Sequence, residues 1–261
     1  MSRVVVITGG SSGIGKALVE RLSRAGDTVY ELSRSGADSE GVHHLSVDLT
    51  DEAQIVAALA EIGRREDHID LLINNAGMGI SGAVETTAAA DAKRLFDVDF
   101  FAAFLCSKYA LPLLRPVGGR IINVSSVAAV YSIPFQAFYS AAKAAVNALT
   151  LAMANELRGS GVQVAAFMPG DVKTGFTAAR EKNSDGAEQY GARLQRAVAV
   201  MEHDEQNGMA PETLAAAIDA FSRKKKMKPL KSCGFQYQLF LFLGKLLPQR
   251  LINFIVSRMY G

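Results

Sequence analysis

Apolar positions along the chain fall into two alternating patterns. Short, largely unbroken aliphatic runs, rich in β-branched residues, occupy residues 4–8, 28–33, 42–47, 69–74, 120–125 and 162–168. Runs this short and apolar predict strands buried on both faces. Between them apolar residues recur at the helical period of three to four. Ile14, Leu18, Leu22 and Ala25 mark the first such helix, with Gly26 placed to end it. Asp51 caps a second running to residue 65, a long apolar third covers 89–114, and a fourth covers 136–158. Regular strand–helix alternation predicts an α/β fold, a doubly wound parallel sheet with helices on both faces. Neither a repeat nor a linker interrupts the alternation, so residues 1–261 read as one domain.

Composition narrows the possibilities without choosing among them. A hydrophobic fraction of 49% against 21% charged residues suits a globular protein with a substantial core. The net charge of +2 gives no argument for nucleic-acid binding. Cys106 and Cys233 stand far apart in apolar surroundings, and His43–His44 lack metal-ligand spacing, so neither a disulfide framework nor a metal site is expected. Strand-like residues begin at Arg3, leaving no room for a signal peptide, and no apolar run approaches 18 residues. The expected compartment is the cytoplasm.

The first strand runs into Thr8-Gly9-Gly10-Ser11-Ser12-Gly13-Ile14-Gly15 and then the first helix. Glycines at that junction permit a tight turn and close backbone approach to a pyrophosphate, which the helix N-terminus then stabilises. At the end of the second strand an acid would accept the ribose 2′-hydroxyl of NAD, whereas an arginine accommodates the 2′-phosphate of NADP. Here Ser33 stands where the acid is expected and Arg34 follows, which favours NADP. Glu31 lies on the opposite side of the strand from Leu32 and is not counted as a ribose ligand.

Tyr139 and Lys143 carry the chemistry. Four residues apart on one helix, they share a face within about 6 Å of axial rise. A phenol with a free pKa of about 10 is a poor acid–base at neutral pH. A neighbouring ammonium favours the phenolate and is expected to lower that pKa.

Together these segments resemble the short-chain dehydrogenase/reductase family over most of the chain. Residues 8–15 resemble its cofactor loop, Asp48 with Leu49 its adenine contact, and Asn74-Asn75-Ala76-Gly77 the signature after the fourth strand. Ser126, Tyr139 and Lys143 match its catalytic serine, tyrosine and lysine, including the thirteen-residue serine–tyrosine spacing. Pro169-Gly170 with Val172 and Thr174 resembles the segment that holds the nicotinamide carboxamide. The resemblance implies a Rossmann-like fold and hydride transfer between a nicotinamide and a ketone or secondary alcohol. Ser126 would orient the substrate oxygen, Tyr139 would exchange its proton, and Lys143 would lower the tyrosine pKa and hold the nicotinamide ribose. One departure stands out: Asp99 occupies the place of a family asparagine that anchors a proton-relay water. An ionised aspartate accepts hydrogen bonds but donates none, and its charge would partly offset that of Lys143. Asp99 is therefore a relay member or a purely structural residue.

Two further segments bear on the substrate. Residues 174–208 are polar and follow the sixth strand, where a substrate lid would lie over the carboxyl ends of the strands. Residues 223–261 form an extension that opens with Arg223-Lys224-Lys225-Lys226 and continues into aromatic and aliphatic residues from Phe235 to Val256. Such a tail resembles those of retinol, hydroxysteroid and sphingoid-base reductases, implying a lipophilic carbonyl or alcohol substrate. A basic cluster beside an apolar helix can rest on an anionic membrane, roof a pocket or fill a subunit interface. The small residues Ala141, Ala142, Ala144, Ala145, Ala148 and Ala152 permit close helix approach, and the resemblance implies a homodimer or homotetramer.

Overall fold

The computed structural model describes residues 2–183 and 187–260. The chain begins with β1 (Val4–Thr8), α1 (Gly13–Arg24), β2 (Thr28–Ser33) and β3 (Val42–Ser46). It continues through α2 (Glu52–Glu66), β4 (Leu71–Asn74), a short β5 (Ile80–Ser81) and α3 (Ala89–Phe96). A π-helical turn at Asp97–Phe101 leads without a break into α4 (Ala102–Leu114). After β6 (Arg120–Val124) come α5 (Ala137–Glu156) and β7 (Gln163–Met168). The remainder comprises α6 (Phe176–Ala179), β8 (Glu181–Lys182), α7 (Ala187–Tyr190), α8 (Ala192–Gln206), α9 (Pro211–Ser222), β9 (Leu230–Ser232), α10 (Phe235–Leu243) and α11 (Gln249–Tyr260).

Seven strands form one parallel sheet in the order β3-β2-β1-β4-β6-β7-β9. The order reverses between β1 and β4, the switch point at which such sheets open a crevice. β1, β4 and β6 are central and buried on both faces, which explains why their sequences are continuous apolar runs. One face packs on α2, α4 and α5 through Ile55, Ile62, Cys106, Ala110 and Leu114. The other packs on α1 and α9 through Leu18, Leu22, Leu214 and Ile218. Burial pushes the Cys106 thiol up to about 12, so it acts there as a small apolar side chain.

The expected elements are present within one to three residues of their sequence bounds. Asp51 caps α2 by accepting from the N–H groups of Ala53 and Gln54. The continuous helix Ala89–Val117 is long and apolar enough to cross a membrane by length and composition. It is seated on the sheet through Cys106, Ala110 and Leu114, as a core helix would be. One reading is corrected: the lysine run does not lie beside the apolar tail. The Lys224 and Lys225 carbonyls accept from Arg120 and Gln163, at the amino ends of β6 and β7. β9 then carries the chain about 10 Å along the sheet before α10 starts, so the two features occupy opposite ends.

Candidate active site

The carboxyl ends of the central strands open into a cavity of about 1550 Å³. On one side stands the glycine loop. Gly9 (φ +67°) turns the chain against Ala76, whose Cα would sit 2.9 Å from any Cβ added there. A Cβ on Gly15 would fall 2.1 Å from the Gly9 carbonyl oxygen and 2.6 Å from Asn75 Nδ2. Asn75 is fixed here because its side-chain amide donates to the Thr8 and Gly9 carbonyls, both at 3.1 Å. Thr8 Oγ1 in turn accepts from the Asn75 and Ala76 N–H groups at 3.0 and 3.1 Å. Ser12 begins α1 without a side-chain capping bond, so the first-turn amides have no hydroxyl acceptor of their own. Ser11, Ser12, Gly13 and Ile14 all line the cavity. This cradle, closed to any side chain and ending at a bare helix N-terminus, fits a dinucleotide pyrophosphate.

Farther along the same wall lie Ser33, Arg34, Asp48 and Leu49. Arg34 is exposed and makes no salt bridge among the described residues. Asp48 accepts from the Thr50 N–H and hydroxyl, and these bonds, aided by Arg34, hold its carboxyl below the usual range. Glu31 is occupied elsewhere. Its Oε1 accepts from the Gly10 N–H at 2.8 Å and its Oε2 lies 2.5 Å from His44 Nδ1. The acid of β2 thus supports the loop from beneath and is not free to reach a ribose.

The floor is made by the π turn, the end of β6 and the start of α5. Lys143 Nζ lies 3.0 Å from Asp99 Oδ2, with both side chains almost fully buried. Asp99 Oδ1 accepts from the Met78 N–H at 2.7 Å, and Lys143 also donates to the Val124 carbonyl at 3.3 Å. Gly77 is packed against both charged groups, so that a Cβ there would be 3.2 Å from each. Lys143 Nζ stands 5.6 Å from the centre of the Tyr139 ring, and Ser126 lies near enough to the Tyr139 hydroxyl to favour its phenolate. Ser126 Oγ accepts from the Ala128 N–H at 3.1 Å, which orients it.

The electrostatic balance differs from the sequence expectation. Burial raises the Tyr139 pKa above its ordinary value; Lys143 and Ser126 lower it, and Asp99 raises it again, leaving a net increase. Lys143 does not achieve net lowering because the cost of burying the phenolate exceeds its effect, and the Asp99 charge adds to that cost. Burial alone would lower the lysine, but Asp99 and Tyr139 outweigh it and hold its pKa above the ordinary value.

Pro169, Gly170, Val172 and Thr174 line the cavity opposite the loop, and Thr174 comes within van der Waals reach of Gly13. Every expected site residue therefore lies on this cavity or directly behind it, with Thr8, Gly15 and Asp99 behind. The roof comes from Phe176, α8 and the tail: Asp204, Glu205, Tyr237, Phe240, Leu247, Ile252, Ile255 and Tyr260. The segment 174–208, expected as a lid, supplies part of this roof as short helices; its residues 184–186 lie outside the described residues.

With this geometry in place, comparison with known proteins is direct. Residues 3–185 match the short chain dehydrogenase family. The chain is a short-chain dehydrogenase. This dehydrogenase is 38% identical over 220 residues to 3-ketodihydrosphingosine reductase of Bacteroides thetaiotaomicron, covering 83% of this chain and 82% of that protein. It is 29% identical over 273 aligned positions to dehydrogenase/reductase SDR family member 7B of Rattus norvegicus, covering 98% and 81%. Among solved structures, a short-chain dehydrogenase from Streptomyces avermitilis superposes with a TM-score of 0.85 at 28% identity, covering 94% and 92%. The oxidoreductase family and its sphingoid-type relatives agree with the sequence resemblance.

Several residues at the site were not anticipated. Glu31 and His44 are register partners on β2 and β3, so their pairing is visible only once strand order is known. Phe176 stacks on Tyr139 with ring centres 5.7 Å apart, and Tyr237 reaches Asp171 from the tail. Both are aromatic residues in segments without a signature motif.

Proposed function

We propose that this dehydrogenase transfers hydride between NADP(H) and a ketone or secondary alcohol on a lipophilic molecule. The observation that carries the reading is a single cavity joining Ser126, Tyr139 and Lys143 at its floor to apolar tail residues at its roof. Residues 8–15, 33–34, 48–49, 75–77 and 169–174 would hold the dinucleotide, with Arg34 on the 2′-phosphate. When bound, the nicotinamide supplies or accepts the hydride. Ser126 donates a hydrogen bond to the substrate oxygen, and Tyr139 gives that oxygen its proton in reduction or removes it in oxidation. Lys143 favours the phenolate that reduction leaves behind. Asp99 keeps Lys143 protonated and in place. Phe240, Leu247, Ile252 and Ile255 offer an apolar environment for a chain or ring system.

The whole chain acts as one domain. The outward face of α4 and α5, with Phe101, Ala141, Ala148, Leu151 and Ala152 exposed, suits a homodimer or homotetramer. On the tail, Phe235, Phe242, Leu246 and Phe254 are exposed among Lys231, Lys245, Arg250 and Arg258, and residues 223–261 contain no acid. That face suits peripheral contact of a cytoplasmic enzyme with an anionic membrane, measured as salt-sensitive pelleting with phosphatidylserine vesicles.

The deciding experiment is titration with NADPH and NADH followed by ketone turnover. Tight NADPH binding, weakened by Arg34→Ala much more than NADH binding, is expected; equal loss for both removes the phosphate contact. Tyr139→Phe should keep NADPH affinity and lose turnover by about 10²–10⁴-fold. Undiminished turnover would remove Tyr139 as the acid.

A further inference from the structure

Helix α10 crosses the mouth of the cleft and is fastened to both of its walls. On one wall Tyr237 Oη accepts from the Asp171 N–H at 3.0 Å and donates to Asp171 Oδ2 at 2.8 Å. Its ring lies so close to Gly170 that a Cβ there would be 2.0 Å from a ring carbon. The Tyr237 ring thus occupies the space a side chain would take on the segment 169–174. On the other wall Tyr131, in the loop between Ser126 and Tyr139, donates to the Phe240 carbonyl. Gly244 leaves room for that ring, since a Cβ on it would be 2.3 Å from Tyr131 Oη. Gly234 (φ +83°) sets the direction of α10, and a Cβ there would be 3.3 Å from the Tyr237 ring. Three glycines and two tyrosines therefore fit one short helix across the cleft, while its own packing contributes little: no α10 residue is buried.

A weakly packed helix held by two tyrosines is poised to open, and one tyrosine holds the backbone next to Pro169 and Gly170. We propose that Tyr237 is a positioning residue that couples closure of α10 to the conformation of the segment 169–174, so that the tail closes as the dinucleotide is held. This rests on the reading of that segment as the nicotinamide-holding wall. Tyr237 acts through Asp171 and Gly170. Linkage then works in both directions: if a closed tail favours cofactor retention, bound cofactor must favour a closed tail by the same factor.

The reciprocal effect gives the test. Lys245 and Arg250 are exposed between α10 and the start of α11, within reach of trypsin whenever the tail opens. NADPH affinity is measured by fluorescence for the wild type, Tyr237→Phe and Tyr131→Phe, and tryptic cutting of each is timed with and without NADPH. Expected is a roughly tenfold slowing of cutting by NADPH in the wild type, with protection lost in Tyr237→Phe. Tyr237→Phe should also bind NADPH about tenfold more weakly, whereas Tyr131→Phe, which frees α10 on the other wall but keeps the Asp171 link, should be cut faster without NADPH and still be protected by it. If Tyr237→Phe does not fold, Asp171→Asn, which keeps the ring on Gly170 and weakens the hydroxyl bond, should show the same loss of affinity and protection. NADPH binding without protection, Tyr237→Phe binding like the wild type, or loss of protection in Tyr131→Phe as well would each overturn the coupling and leave the oxidoreductase reading standing. A wild type that binds neither NADPH nor NADH would remove both.

Discussion

Asp99 is where one residue changes the chemistry of its neighbours. In the sequence it is one of three acids, with Asp91 and Asp97, in a largely apolar helix, and only the family pattern singles it out. In the fold a π turn inserts an extra residue per turn at Asp97–Phe101 and delivers Asp99 onto Lys143 at 3.0 Å. Its carboxylate opposes the lysine and raises the Tyr139 pKa. Asp99→Asn removes that charge, so the Tyr139 pKa should fall. Ketone reduction needs Tyr139 protonated and fails as pH rises through that pKa; its alkaline limb should therefore move to lower pH. Alcohol oxidation needs the phenolate and should begin its rise at lower pH. Profiles of kcat/KM in both directions would show this, and displacement to higher pH would mean that Asp99 does not act on the tyrosine. The meeting of Tyr139 and Lys143 was legible because spacing on a helix fixes which face two residues share. The sign of the tyrosine shift was not, because burial and a second charge enter only with the fold.

At the scale of elements, the strands and long helices were legible and the joints between them were not. β1 to β4, β6 and β7 announce themselves as apolar runs, whereas β5 has two residues and β9 is a three-residue strand containing Lys231 and Ser232. Its absence from the sequence reading made the lysine run and the apolar tail look adjacent. Asn123 was equally silent in its strand pattern. Fully buried, it accepts from Asn74 Nδ2 at 2.8 Å and donates to Thr150 Oγ1 at 2.8 Å, while Asn74 reaches Ser107 at 2.9 Å. This network ties β4 and β6 to α4, which continues from the π turn bearing Asp99, and to α5, which carries Lys143. Asn123→Ala should cost about 1–3 kcal/mol, since it strands Asn74 and Thr150 groups away from water. Urea unfolding would measure the loss, and a change under 0.5 kcal/mol, within the range of a neutral surface substitution, would show that the network contributes little.

Across the whole molecule, the doubly wound sheet followed from strand–helix alternation, but the joining of its first and last thirds did not. Asp219 on α9 meets Arg21 of α1 at 3.1 Å, Arg3 before β1 at 3.3 Å and Arg223 at 2.7 Å. Arg3 and Arg223 also pair with Asp27 at 2.5 and 3.2 Å. No local pattern marks these acids, since their partners lie up to 216 residues away. Burial works to raise the Asp219 pKa, but Arg223, Arg21 and Arg3 outweigh it and hold the carboxyl below its ordinary value. A carboxyl depressed in the folded state contributes stability that is present above the unfolded value of about 3.9 and is lost as pH falls through the folded one. Asp219→Asn should therefore cost about 1–2 kcal/mol at neutral pH, a range set by charged hydrogen bonds partly screened by solvent. The difference from the wild type should shrink as pH drops below about 4, because the unfolded carboxyl then takes up a proton that the native one still resists. Denaturant titrations at pH 7 and at pH 3 test both parts. A deficit that stays constant across that range would mean that Asp219 acts through shape and hydrogen bonding alone, and that charge does not hold α9 against the beginning of the chain.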